Sequence, residues 1–131
     1  MNPKGFQQYK EQAVNTMTPE ELLLLLYSEA VKRMTQAELA LEKQNYPVFE
    51  AAIDRSIAII QYLDDTLDRK YEVSQNLTRL DDYFTYELGR VTYGRRIEPL
   101  THVKTMVKDL EETFREAQMQ AAAERTAGKA Q

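Results

Sequence analysis

The sequence predicts an all-α protein, an antiparallel up-down four-helix bundle with a short N-terminal helix or arm, and three observations carry that prediction. The 131 residues include only four glycines and four prolines. No stretch alternates β-branched and polar residues over the length of a strand. Instead, successive segments repeat apolar side chains at spacings of three and four, the signature of a helix that buries one stripe. A chain of this length forms one domain and removes roughly two-thirds of its unfolded surface from water.

Residues 1–17 contain few apolar groups, chiefly Phe6, Tyr9, Ala13 and Val14, enough for a docked arm or short helix but not for an independent element. Thr18-Pro19-Glu20-Glu21 then reads as a helix start, because the Thr hydroxyl can cap a free amide, Pro suits the first helical position and Glu21 can complete a capping box. This first helix is expected to run from Pro19 to Lys43. Gln44-Asn45-Tyr46-Pro47 supplies a short connection, which makes antiparallel neighbours, and Pro47 opens the second helix.

The second stripe is Phe49, Ile53, Ile57, Ile60, Leu63, Leu67 and Tyr71, and its helix is expected to end between Arg69 and Glu72. Val73, Leu77, Leu80, Phe84, Leu88 and Val91 form the third, which Tyr93-Gly94 can close because Gly tolerates the left-handed conformation. Ile97, Leu100, Val103, Val107, Leu110 and Phe114 mark the fourth. The bundle is thus expected over 18–119. Residues 120–131 offer nothing to bury and are expected to be a disordered C-terminal tail.

Composition excludes several kinds of function. There is no cysteine, hence no disulfide framework, thiolate metal site or thiol nucleophile, and a reducing, cytoplasmic setting fits. The longest apolar run, Leu22 to Tyr27, is far below the roughly 20 residues of a membrane span, and MNPKGFQQYK lacks the apolar core of a signal peptide. The chain is therefore expected to be soluble, without membrane insertion. The net charge of −4, with both signs interspersed, argues against nucleic acid as a partner, and Arg90, Arg95 and Arg96 read as a solvated helix end.

A carboxylate-bridged iron site needs two Glu-x-x-His pairs, which the single histidine, His102, cannot supply. Triad and zinc chemistry fail on the same count, so no enzyme, metal or other cofactor is expected and His102 reads as a surface residue. Tyr27, Tyr71 and Tyr83 fall near core stripes and are expected to be half-buried, with their hydroxyls reaching water.

Five consecutive leucines, Leu22 to Leu26, cannot all face one core. At about 100° per residue, Leu23, Leu26, Tyr27, Met34, Ala37 and Leu41 lie within about 60° of Ala30 and form the buried stripe. Leu24 and Leu25 point elsewhere, and Val48, Ala52 and Ile59 extend one flank of the second stripe. Two covers suit such outer groups: other parts of the same chain, or the amphipathic helix of a partner.

Three stretches together resemble the FliS family of flagellar export chaperones. Tyr9-x-x-x-Ala13-Val14, then Thr18-Pro19-Glu20-Glu21-Leu22 and Leu26-Tyr27, is similar to the family's N-terminal signature. Ile59-Ile60-x-x-Leu63 with Leu67, followed by Asn76-Leu77-x-x-Leu80-x-Asp82-Tyr83, resembles its central pattern, and Phe114-Arg115-Glu116-Ala117 its C-terminal one. The departures are Asp81 where the family prefers Tyr, Tyr86-Glu87 where it favours an Arg pair, Arg33 where an aromatic is usual, and Phe114 in place of Trp.

The resemblance implies a cytoplasmic bundle that binds the disordered C-terminal region of flagellin as helices in an apolar surface groove, preventing premature polymerisation, and delivers it to the cytosolic domain of the flagellar export gate. Together with the outward-facing Leu24 and Leu25, it implies a client surface drawn from Ile59, Leu63, Leu67, Leu77, Leu80 and Tyr83. Phe6, Tyr9 and Val14 would form the arm or export-gate contact. The alternative is a self-assembling structural bundle or adaptor without such a client, so monomer and homodimer both stay open.

Overall fold

Thr18 sets the first helix: it is extended before Pro19 and its hydroxyl accepts a 3.1 Å hydrogen bond from the Glu21 N–H. The computed structural model describes residues 16–129, in which four helices follow one another: α1 (Pro19–Glu42), α2 (Tyr46–Asp65), α3 (Glu72–Gly94) and α4 (Ile97–Lys129). Each packs on its chain neighbours, and α4 closes the ring against α1. The all-α bundle expected from the periodicities is what forms. Phe6, Tyr9, Ala13 and Val14 lie outside the described residues.

Two tight turns hold one end of the bundle. Gln44 takes a left-handed φ of 55°, and the Asn45 side chain accepts from the Val48 N–H at 3.4 Å to start α2. Between α3 and α4 the left-handed residue is Arg95 (φ 51°), not Gly94. The conformation costs a non-glycine residue about 1 kcal/mol. Here the Arg95 guanidinium stacks 3.7 Å from the Tyr46 ring centroid and lies 3.7 Å from the Glu50 carboxylate, contacts that also join the two turns.

At the other end α2 stops at Asp65, short of the expected 69–72. The Thr66 hydroxyl bonds back to the Leu63 carbonyl at 2.7 Å, and the Asp68 carboxylate accepts from the Lys70 N–H at 3.1 Å, a local turn that competes with the helix. Asp64 and Asp65 also place negative charge at the helix C-terminus, where the dipole disfavours it. The apolar spacing runs on to Leu67 and Tyr71, but the backbone does not follow it.

The core is built from Tyr27, Ala30, Met34, Ala37 and Ala40 of α1, Phe49, Ala52, Ile53, Ile60 and Leu63 of α2, Phe84, Leu88 and Val91 of α3, and Leu100, Val103 and Val107 of α4. Ser56 is buried among them, and its hydroxyl is satisfied by the Ala52 carbonyl at 2.9 Å. Leu80, Leu110 and Phe114 pack at the rim, Phe114 stacked 5.6 Å from Tyr27. Two residues assigned to core stripes are exposed: Tyr71 precedes α3, and Val73 sits in its first turn, where no neighbouring helix covers it.

The Gln118 amide donates to the Glu20 carbonyl at 3.0 Å, which places Gln118 beside the start of α1. Residues 119–128 continue as helix beyond that level with every side chain exposed. Residues 120–129, which the sequence marks as tail, form the last turns of α4. Alanine is the strongest helix former, and extending an existing helix avoids the nucleation cost, so Ala121, Ala122 and Ala123 need no burial to propagate it.

Leu88 is fully buried, so Leu88→Ala should destabilise the fold by about 2–5 kcal/mol in urea titrations, whereas Val73→Ala should change it by no more than about 0.5 kcal/mol. Removal of residues 121–131 should lower helical circular dichroism and leave the unfolding free energy within about 0.5 kcal/mol.

Candidate functional site

The end of the bundle where α1 begins and α2 stops carries an open groove of about 370 Å³. Leu22, Leu23 and Leu26 of α1 form one side, and Leu63 of α2 with Leu67 and Tyr71 of the connection forms the other. Tyr62 and Tyr71 stand half exposed at its walls, while Glu20 and Asp68 put acidic groups on the lining. The groove exists because the leucine run exceeds what the core can cover: all five are partly buried and none is fully so.

Of the residues that the sequence reading assigned to a client surface, the groove unites Leu63 and Leu67. Leu63 and Leu77 are buried, Ile59 and Leu80 pack against the core, and Leu24 and Leu25 are half-buried outside the groove lining. Tyr83 stands on the outer face of α3, 38% exposed, edge-on to His102 at 6.5 Å, and His102 is a surface residue. The groove residues that the sequence reading missed as a set are Leu22, Leu23, Leu26, Tyr62, Thr66, Tyr71 and Ser74. A usable signal was Thr66-Leu67-Asp68, where two helix-competing side chains flank an apolar one.

The connection is pinned to both helices by one carboxylate. Asp64 Oδ2 accepts from Arg69 at 3.0 Å and Asp64 Oδ1 from the Thr78 hydroxyl at 2.9 Å, while Arg69 also donates to the Asp64 carbonyl at 3.2 Å and to Thr78 Oγ1. Burial works against the Asp64 charge, but the bonds from Thr78 and Arg69, the Arg69 charge and a bond from Asp81 outweigh it and hold the carboxyl below its usual range. Asp81 on α3 is buried, and desolvation, then the bond with Asp64 and the charges of Asp64 and Asp82, push its pKa up to about 7. Burial, helped by Asp81, likewise pushes the Tyr27 phenol up.

Among the described residues no group of His, Cys, Asp or Glu is arranged to hold a metal, and no helix is long and apolar enough to cross a membrane. What the geometry can do is receive an apolar side of another polypeptide, with acidic groups set to meet flanking cations. It is a helical bundle with an open apolar groove at one end.

The family model for the flagellar protein FliS matches residues 2–121, and the chain belongs to that family. It is 29% identical over 109 residues to the flagellar secretion chaperone FliS of Bacillus subtilis, covering 83% of this chain and 82% of that one. It is 28% identical over 113 residues to the flagellar secretion chaperone FliSB of Pseudomonas aeruginosa, covering 82% of this chain and 90% of the relative.

The Asp81 shift has a definite sign. The folded protein keeps that proton up to about pH 7, whereas the unfolded chain releases it near its ordinary value of 3.8, so this group's stabilisation is complete below the lower value and is lost as pH rises through the upper one. Stability should fall by a few kcal/mol, on the order of 2–4, between about pH 4 and pH 7 from this group, and Asp81→Asn should flatten the decline in chemical denaturation series.

Proposed function

We propose that the chain is a cytoplasmic secretion chaperone that holds the C-terminal region of flagellin, ordered into helices, in the Leu22–Leu26 and Leu63–Leu67 groove, and so prevents its premature assembly before delivery to the export gate. The observation that carries this reading is the groove itself, apolar on both sides and unfilled among the described residues. A segment that assembles through one apolar helix face is masked when that face is buried in another bundle. Folding such a segment on binding consumes several kcal/mol of interaction energy, on the order of 2–5, which suits a hold that must be reversed. The names of the relatives support the secretion role.

Light scattering with a flagellin C-terminal peptide tests it. A monomer that forms a 1:1 complex supports the chaperone, and a dimer indifferent to the peptide supports the self-assembling bundle. Leu67→Glu should leave the helical signal intact, because Leu67 lies between helices, and weaken peptide binding at least about fivefold, near 1 kcal/mol, since the charge would be desolvated on docking. Leu25→Glu should weaken it less.

Phe6, Tyr9 and Val14 carry the arm and export-gate contact in this reading, supported by their position ahead of α1. Tyr9→Ala should spare or strengthen peptide binding measured by calorimetry and lower flagellin secretion in cells.

A further inference from the structure

Asp81 is a carboxyl only 5% exposed, at the seam of α2 and α3, and a second carboxyl, Asp64, faces the same space. Both line a cavity of about 120 Å³, with Asp65 and Asp82 also on its walls. Two carboxyls bond to each other only when one carries the proton. Both Asp64 oxygens already accept, from Thr78 and Arg69, so Asp64 is the charged member and Asp81 the donor.

The same Asp64 anchors the groove. It is one residue from Leu63, its carbonyl accepts from the Leu67 N–H at 3.2 Å and from Arg69, and Arg69 belongs to the connection that supplies Leu67, Asp68 and Tyr71 to the groove. We propose that Asp81 and Asp64 share one proton, and that this proton latches the connection 66–71, so that the client groove is firm when the pair is protonated and loosens as pH rises. The gating half of this rests on the groove being the client site.

The groups around Asp81 set the direction. From α1 it meets Tyr27, from α2 Asp64 and, across the cavity, Asp65, from the connection Arg69, and from α3 its neighbour Asp82. Once Asp81 ionises it can no longer donate, and two carboxylates, one of them buried, then compete for Arg69. Any share of Arg69 that Asp81 takes is withdrawn from Asp64 and Thr78, the bonds that pin the connection. An asparagine at this position would keep a donor toward Asp64 and carry no titratable proton.

Carbon-13 titration and hydrogen exchange on the full chain test the latch without any client. The Asp81 carboxyl carbon should titrate with a midpoint near 7. Protection of the Leu67 and Tyr71 amides, corrected for intrinsic exchange, should fall at least about fivefold from about pH 6 to about pH 8. Asp81→Asn should hold that protection constant, and Asp64→Asn should lower the Asp81 midpoint while burial, the larger cause, keeps it above the ordinary value of about 4. A wild-type midpoint near that ordinary value overturns the shared proton whether or not either variant folds, and protection that is flat with pH overturns the latch.

The affinity for a flagellin C-terminal peptide should fall about fivefold over the same interval in the wild type and stay level in Asp81→Asn. A peptide that binds equally at both pH values overturns the gating. A peptide that binds at neither, with the amides still responding, counts against the client reading and supports the latch.

Discussion

Asp64 sits where α2 runs out, and two donors converge on its carboxylate, the Thr78 hydroxyl and the Arg69 guanidinium, with the buried Asp81 carboxyl on the wall of the same cavity. The connection 66–71 has neither glycine nor proline to shape it, so its course depends on these bonds. Everything that lies along it depends on them too, including the Leu67 and Tyr71 side chains of the groove and the exposed start of α3, where Tyr71 provides no side-chain cap. The opposite end of the bundle is fixed by other means, a guanidinium laid on an aromatic ring and short turns with left-handed residues. One end is held by a single cation shared between a ring and a carboxylate, the other by a network of acids around Arg69.

Most of the architecture was legible because local chemistry and periodicity agreed. Thr18-Pro19 started α1 where a cap and a proline coincide, and Asn45 with Pro47 did nearly the same for α2. The errors fall where two signals conflict. The stripe continued through Leu67 and Tyr71 while Thr66 and Asp68 supplied competing hydrogen bonds, and the backbone obeyed the hydrogen bonds. Gly94 carried the usual preference for a left-handed cap, yet the turn settled on Arg95, whose stacking on Tyr46 is a tertiary contact that no local rule contains. Beyond Gln118 the absence of an apolar side pointed to fraying, and the alanine-rich stretch followed its own helical propensity.

The site was less legible than the fold. The leucine run announced surplus apolar surface, but helical phase alone treats each helix separately, and the groove is made jointly by α1, α2 and a connection that had been read as helix. Leu63 and Leu67 follow from the family resemblance, whereas helical phase assigns Leu23 and Leu26 to the core stripe and gives Leu22 no face. Asp81 had registered only as a departure from the family pattern. Its significance lies in Asp64, more than a dozen residues earlier, and periodicity does not reveal that a polar position in one stripe will meet an acid from another.

Thr18 and Gln118 flank the same end of the bundle, the end that also holds the connection between α2 and α3. A pull that reaches α1 and α4 from that end acts across their seam and separates their contacts row by row. It does not load all of those contacts in parallel, as a pull along the helix axes from opposite ends would. The first ties in line are Gln118 to Glu20 and the stack of Phe114 on Tyr27; the Glu38 contacts with Thr101 and Lys104 lie deeper. Mechanically the bundle is a zipper whose slider sits at the groove, compliant to tension at its ends while resistant to axial shear.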